Sequence, residues 1–246
     1  MDEQKDLSTD PEGTLGFPPM DLHVHLEGFS LERALELSRE RGVTFGIVEH
    51  GGPGQTVGDD EALRRYVRSL DPHPVRKGLQ AEGLDWMTCF SKEALPQLDY
   101  VLSDALTFPE KDGRTVQLWR PEQVEIADKQ DFMDRYVDFN VRVISSGIHI
   151  MASPTFLPDR LVAEYDVLWT RERMTMVIDA AVQHGVAIEI SARYDIPSAA
   201  FIRMAKEANA RFSFGTNSHG ENAGKLDYCL RMAEECGLTR GDMFLP

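Results

Sequence analysis

The 246-residue chain is 42% hydrophobic and 27% charged, the balance of an ordinary soluble globular protein, and its length is enough for one large α/β domain. Its 26 Lys and Arg stand against 41 Asp and Glu, a formal net charge of -15. Such a surface repels a polyanion at long range and argues against nucleic acid as a bulk partner, while a small anionic substrate stays compatible with a pocket whose field is set by a metal and one arginine. No apolar run approaches the ~20 residues of a membrane span, and the first residues lack the basic and apolar regions of a secretory leader, so the expectation is a cytoplasmic protein with no membrane partner. Cys89, Cys229 and Cys236 form no CxxC pair and read as free thiols in a reducing compartment.

Residues 1–17 are acidic and rich in Gly, Pro, Ser and Thr, without a periodic apolar face. They read as a mobile tail, with a single barrel-type domain beginning at Met20 after a tail of residues 1–19. Residues 20–28, MDLHVHLEG, follow as a short strand. On it His23 and His25 leave the same face, with Leu22 and Val24 turned the other way. Two neutral imidazoles on one rigid face suit a divalent metal, although paired buried histidines can also be satisfied by hydrogen bonds alone. Ser30 is placed to cap a helix carrying Leu31, Ala34, Leu35 and Leu37, and Gly42 to end it. A β-branched strand over residues 43–48 is closed by Glu49, His50 and a GGPG turn.

The alternation continues with a helix over residues 61–70, a strand over 75–81 that delivers Glu82, and a strand over 98–102. A long loop containing Pro109 comes next, then helical patterns over 122–127 and 131–145 and a strand over 148–152. Residues 171–184 carry an apolar stripe of Met174, Val177, Ile178, Ala181 and Val182, stopped by Gly185. A strand over 186–190, a helix from Pro197 to 208, a strand over 212–216 and a helix over 226–236 complete the chain. Strands alternating with helices imply a mostly parallel sheet covered by helices. About seven such units in one domain point to a closed (β/α)7 TIM-like barrel, and the lack of a Gly-rich phosphate loop after the first strand weakens the open doubly wound alternative.

Position is the most informative feature of the polar residues. His23, His25, His50, Glu82, Asp104, Ser153, Glu189, Asn217 and His219 all fall at or just beyond the C-terminal ends of predicted strands, the rim where parallel barrels form active sites. His149 begins a strand, His184 ends a helix and His73 lies in a DPHP turn; these three read as structural.

The blocks DLHVHLEG, GVTFGIVEHGG, GLQAEG, HIMASP and GVAIEISARYDIPSAAFIRMAKEANARFSFGTNSHG, in this order and spacing, resemble the PHP family, named for polymerase and histidinol phosphatase. The resemblance implies a distorted barrel of seven βα units, up to three metals at the C-terminal rim, and phosphoester hydrolysis. It assigns His23 and His25 to the opening ligand pair, His50 to the histidine of the second block with Glu49 in place of its aspartate, Glu82 to the bridging glutamate, and His219 to the closing histidine. Departures accompany these matches: Asn217 replaces the closing aspartate, Ser153 stands where a histidine is expected, and only Asp104 is available after the fourth strand. The ligand set implied is thus His23, His25, His50, Glu82, Asn217 and His219, holding one or two divalent ions of Zn, Fe or Mn.

The function expected on this basis is a metal-dependent phosphoesterase acting by metal-activated water on a small phosphorylated compound. Arg193 is the arginine best placed to clamp the phosphate, an ion pair with Asp195 being its structural alternative. His50 or His219 is the candidate proton donor when free of metal. Two other functions fit parts of the sequence: a PHP-like binding barrel that has lost turnover, and an adenosine-deaminase-like amidohydrolase, which shares the DLHVHLEG opening but whose later blocks are missing.

Overall fold

The computed structural model describes residues 16–246. Its strands in chain order are β1 (Met20–His25), β2 (Thr44–Gly51), β3 (Arg76–Ala81), β4 (Tyr100–Ser103), β5 (Thr107–Pro109), β6 (Thr115–Gln117), β7 (Ile150–Met151), β8 (Ala187–Ser191) and β9 (Phe212–Gly215). The helices are α1 (Leu31–Arg41), α2 (Asp60–Leu70), α3 (Lys129–Ile144), α4 (Asp159–Val162), α5 (Tyr165–Leu168), α6 (Arg171–His184), α7 (Ala199–Glu207) and α8 (Asp227–Glu235). Strands β1, β2, β3, β4, β7, β8 and β9 form a closed barrel in that order, every pair parallel, while β5 and β6 make a separate antiparallel hairpin. This is the seven-stranded barrel that the strand–helix alternation implies.

Local chemistry fixes the element ends. Ser30 accepts from the Arg33 N–H at the start of α1, and Gly42 closes that helix at φ 63°. Asp59, Asp128, Thr170 and Ser198 cap α2, α3, α6 and α7 in the same way, each satisfying amide groups that the first helical turn leaves free. The expected helix over 122–127 is reduced to one 3-10 turn at Pro121–Gln123. A run of six residues is too short to offset helix nucleation, and Val124 is instead buried in the core.

Two layers of core hold the barrel. Phe45, Ile47, Leu79, Val101, Ile188 and Phe214 face outward into the main cluster under the helices. A smaller cluster fills the barrel interior with Leu22, Val48, Tyr100, Leu102, Ile150 and Ala187. Tyr100 plugs its centre and donates to the Leu22 carbonyl at 2.7 Å. Glycines make the room: a Cβ on Gly46 or Gly78 would lie 2.2 or 2.4 Å from the Tyr100 ring or hydroxyl.

One expectation is corrected here and another lies largely outside the described residues. Leu22 points into the barrel rather than away from the histidines, because the β1–β2 register shifts between Asp21 and Val24 and inserts one extra residue in β1. The tail expected over residues 1–19 is only partly testable. Residues 1–15 lie outside the described ones, but Phe17 is buried at 2% exposure, its ring 6.2 Å from Phe214, so the packed chain already includes it. Among the described residues no helix is long and apolar enough to cross a membrane, and all three cysteines are free.

Because the Tyr100 ring occupies the space where a side chain at position 78 would go, Gly78→Ala is expected to destabilise the fold by about 1–3 kcal/mol. A urea denaturation midpoint equal to that of the parent protein would contradict the tight inner layer.

Candidate functional site

The rim at the C-terminal ends of the strands gathers four imidazoles. His23 and His25 come from β1, His50 from the end of β2, and His219 from the turn after β9, which is tied to β1 by the His25 N–H to Ser218 carbonyl bond at 2.8 Å. The rings of His25 and His219 stack in parallel at 4.4 Å, His25 and His50 stack at 4.9 Å, and His23 is tilted against His25 at 5.3 Å. The sequence reading that brings these four together holds in the structure, but their partners differ from the expected ones.

His23 is fully buried, with Nδ1 2.7 Å from Glu189 Oε1 and Nε2 3.0 Å from Gln80 Oε1. The Gln80 amide nitrogen faces the carboxylates of Glu82 at 3.2 Å and Asp104 at 3.4 Å. That orientation turns the amide oxygen toward His23, so the network assigns a proton to both ring nitrogens. Burial pulls the His23 pKa down, but the Glu189 carboxylate outweighs it and the net direction is up. His23 thus has Glu189 at one ring nitrogen and Gln80 at the other, and the Glu189 carboxylate raises its affinity for a proton.

Glu189 is itself held from the other side by the Ser153 N–H at 3.0 Å, Ser153 adopting φ 45°. The close approach of Glu189 to His23 depends on Gly215, where a Cβ would sit 2.0 Å from Glu189 Oε1.

His25, His50, Glu82, Asn217, His219 and Arg193 all line one cavity of about 430 Å³, together with Glu27 and Asp104. His25 is driven strongly neutral by burial and by the imidazoles around it, and burial also lowers His219. His50 is shifted up, chiefly by its 2.8 Å hydrogen bond to Glu82. Asp104 is pushed up to about 7 by burial and by repulsion from Glu82. Neutral imidazoles beside carboxylates that repel one another make a donor set whose chemistry fits a divalent cation. Among the described residues, however, no three His, Cys, Asp or Glu side chains stand in a ready-made ligand arrangement.

Arg193 Nη1 donates to the Asn217 carbonyl at 2.7 Å, and its guanidinium lies over the Tyr194 ring at 5.6 Å. The alternative ion pair with Asp195 is not formed; among the described residues Arg193 contacts no carboxylate. Asn217 sits at φ 43°, its carbonyl used to hold that arginine. His149, expected to be structural, accepts from the Val101 N–H at 3.0 Å. Gln80 lies inside the GLQAEG block, but the resemblance gives it no ligand or catalytic role. The alternation through KGLQAE is the one signal that places it, with Gly78, on the inward face while Glu82 falls just past the strand.

A closed, all-parallel seven-stranded barrel with a rim of imidazoles and carboxylates defines the class of fold. The chain is similar in structure to histidinol phosphate phosphatase from Lactococcus lactis subsp. lactis Il1403, solved in complex with zinc, L-histidinol and phosphate. The alignment has a TM-score of 0.58 and covers 89% of this chain and 94% of that one at 13% identity. At this identity the likeness shows the fold alone, a closed parallel barrel like that of the phosphatase. No protein-family model and no curated protein matches the chain.

Two outcomes test the network. Glu189→Gln leaves a buried imidazole without its counterion, so it is expected to cost about 2–4 kcal/mol and to lower the His23 titration point followed by NMR. An unmoved His23 resonance would mean that Glu189 is not its partner. Asp104 keeps its proton up to about 7 in the folded protein and only to about 4 when unfolded. The folded state thus binds more protons in between, and stability falls as pH rises through that window. Asp104→Asn is expected to flatten this part of the urea-midpoint profile.

Proposed function

We propose that the chain is a metal-dependent phosphoesterase acting on a small phosphorylated compound. The observation that carries this reading is the convergence on a single rim cavity of three stacked imidazoles, three carboxylates and one arginine without a carboxylate partner among the described residues, in a fold like that of a phosphatase solved with zinc and phosphate. A divalent cation bound there would supply Lewis-acid activation of water and of a phosphoryl oxygen. His25 and His219, both held neutral, are its donors, with Asp104 as the anionic one once deprotonated.

His50 has a different part. The Glu82 hydrogen bond raises its affinity for a proton, which suits it to protonate the leaving-group oxygen rather than to coordinate. Arg193, free of carboxylates and fixed by the Asn217 carbonyl, presents its remaining N–H groups to the non-bridging phosphoryl oxygens. His23, engaged by Glu189 and Gln80 at its two ring nitrogens, holds the inner wall.

A second reading is a binding barrel without turnover. Its support is that His23 and His50 are both engaged by carboxylates and that no ready ligand trio exists among the described residues.

Elemental analysis of the purified protein, with hydrolysis of p-nitrophenyl phosphate and a panel of sugar and amino-alcohol phosphates, separates the two. We expect about one divalent ion per chain, lowered in His25→Ala and His219→Ala, and a loss of about 100-fold in kcat/KM in Arg193→Ala. A chain that takes up no zinc, iron or manganese and hydrolyses no phosphoester would be the binding barrel instead.

A further inference from the structure

Across Arg193 the rim cavity adjoins a second cavity of about 660 Å³. Arg193, Asn217 and His219 line both, so the two meet at one wall. The far side is built by Asp195, the turn after β9 and the first turns of α8. Its floor is fixed by Tyr228, which is buried, donates to the Pro197 carbonyl at 2.6 Å and carries the Arg231 guanidinium over its ring at 5.1 Å. A volume of this size holds a small organic molecule rather than a lone ion.

With Arg193 assigned to the phosphoryl group, the far side presents charges of both signs in balance. Lys225 Nζ donates to the neutral Asn222 side chain at 2.9 Å and Arg231 rests on Tyr228; among the described residues neither has a carboxylate partner. Asp195 and Asp227 are equally without a cationic partner among the described residues. Glu221 is already committed, Arg33 meeting its two oxygens at 2.9 Å each. A surplus of one sign would select an ion of the other, but two cations beside two carboxylates call for a group that accepts and donates alike. Hydroxyls do both and carry no charge to be repelled.

Reach sets the length of the molecule. In the phosphoesterase reading the leaving oxygen lies at His50, and from there to His219, where the second cavity begins, are two stacking steps of 4.9 and 4.4 Å. An extended chain advances about 1.2 Å per bond, so an alcohol of about two or three carbons ends beside the imidazoles, whereas one of about five or six reaches the far charges.

We propose that the second cavity holds the far end of the alcohol, and that the substrate is a monophosphate of a polyhydroxylated chain, a sugar or polyol of about five or six carbons. Hydroxyls of that chain donate to Asp195 and Asp227 and accept from Lys225 and Arg231. This assignment rests on the phosphoesterase reading and extends it to a substrate class.

The test compares phosphate release from sorbitol phosphate esterified at a terminal carbon, hexyl phosphate, glycerol phosphate and O-phosphoserine by the zinc-supplied whole chain. Sorbitol phosphate is expected to show about tenfold higher kcat/KM than hexyl phosphate, which has its length without its hydroxyls, and than glycerol phosphate, which has hydroxyls without the reach. Lys225→Ala and Asp227→Ala, both at exposed positions, should each lower kcat/KM for sorbitol phosphate about fivefold more than for hexyl phosphate, chiefly by raising KM. Equal kcat/KM for the sorbitol and hexyl esters, a preference for the zwitterionic O-phosphoserine, or equal losses for both esters in the two variants overturns this assignment, while hydrolysis of any of the four sustains the phosphoesterase reading. A parent protein that hydrolyses none of them overturns both.

Discussion

The rim depends on one buried ion pair. His23 and Glu189 come from β1 and β8, on either side of β9, and are buried together at 2.7 Å, and neither would be tolerated there alone. Gln80 passes the arrangement outward: its oxygen accepts from the imidazolium and its amide nitrogen donates to Glu82 and Asp104. The inner pair thereby sets the direction in which the outer carboxylates present themselves. Gly215 and Ser153 exist in this scheme to let Glu189 approach and to hold its second oxygen.

Above that pair the electrostatics divide by depth. The deepest imidazole, His23, has its proton affinity raised by Glu189, the middle one, His25, has its own lowered by burial and by its neighbours, and the outer two differ by the company they keep. His50 has Glu82 at 2.8 Å, whereas the Glu27 carboxylate stands 3.5 Å from His219. A stack of like side chains is thus given unlike proton affinities by burial and by single carboxylates within a few ångströms.

Much of this was legible in the sequence. The helix ends at Gly42 and Gly185 and the alternation of elements follow from local chemistry, and the gathering of His23, His25, His50 and His219 follows from their places at strand ends. What was not legible arose where a side chain's role depends on a distant neighbour. The extra residue in β1 that turns Leu22 inward is invisible in a six-residue strand. Glu189 as the partner of His23, across most of the chain, and Gln80 as the link have no local signature. The hairpin read as a loop because its two strands have three residues each, too short for alternation to show, and its stability comes from Phe108 docking on α3.

The way the barrel closes has a consequence for its birth on the ribosome. Asp21, in the first barrel strand, is buried and satisfied by the Thr216 N–H and hydroxyl and the Gly224 N–H, groups that follow it on the ribosome by 195 to 203 residues. Until then β1 has neither its outer neighbour nor partners for a carboxylate that cannot be left dry. The first strand therefore stays unfinished until partners 195 to 203 residues further along the chain are in place, and closure of the sheet is a long-range step that ordering of the local helices cannot complete.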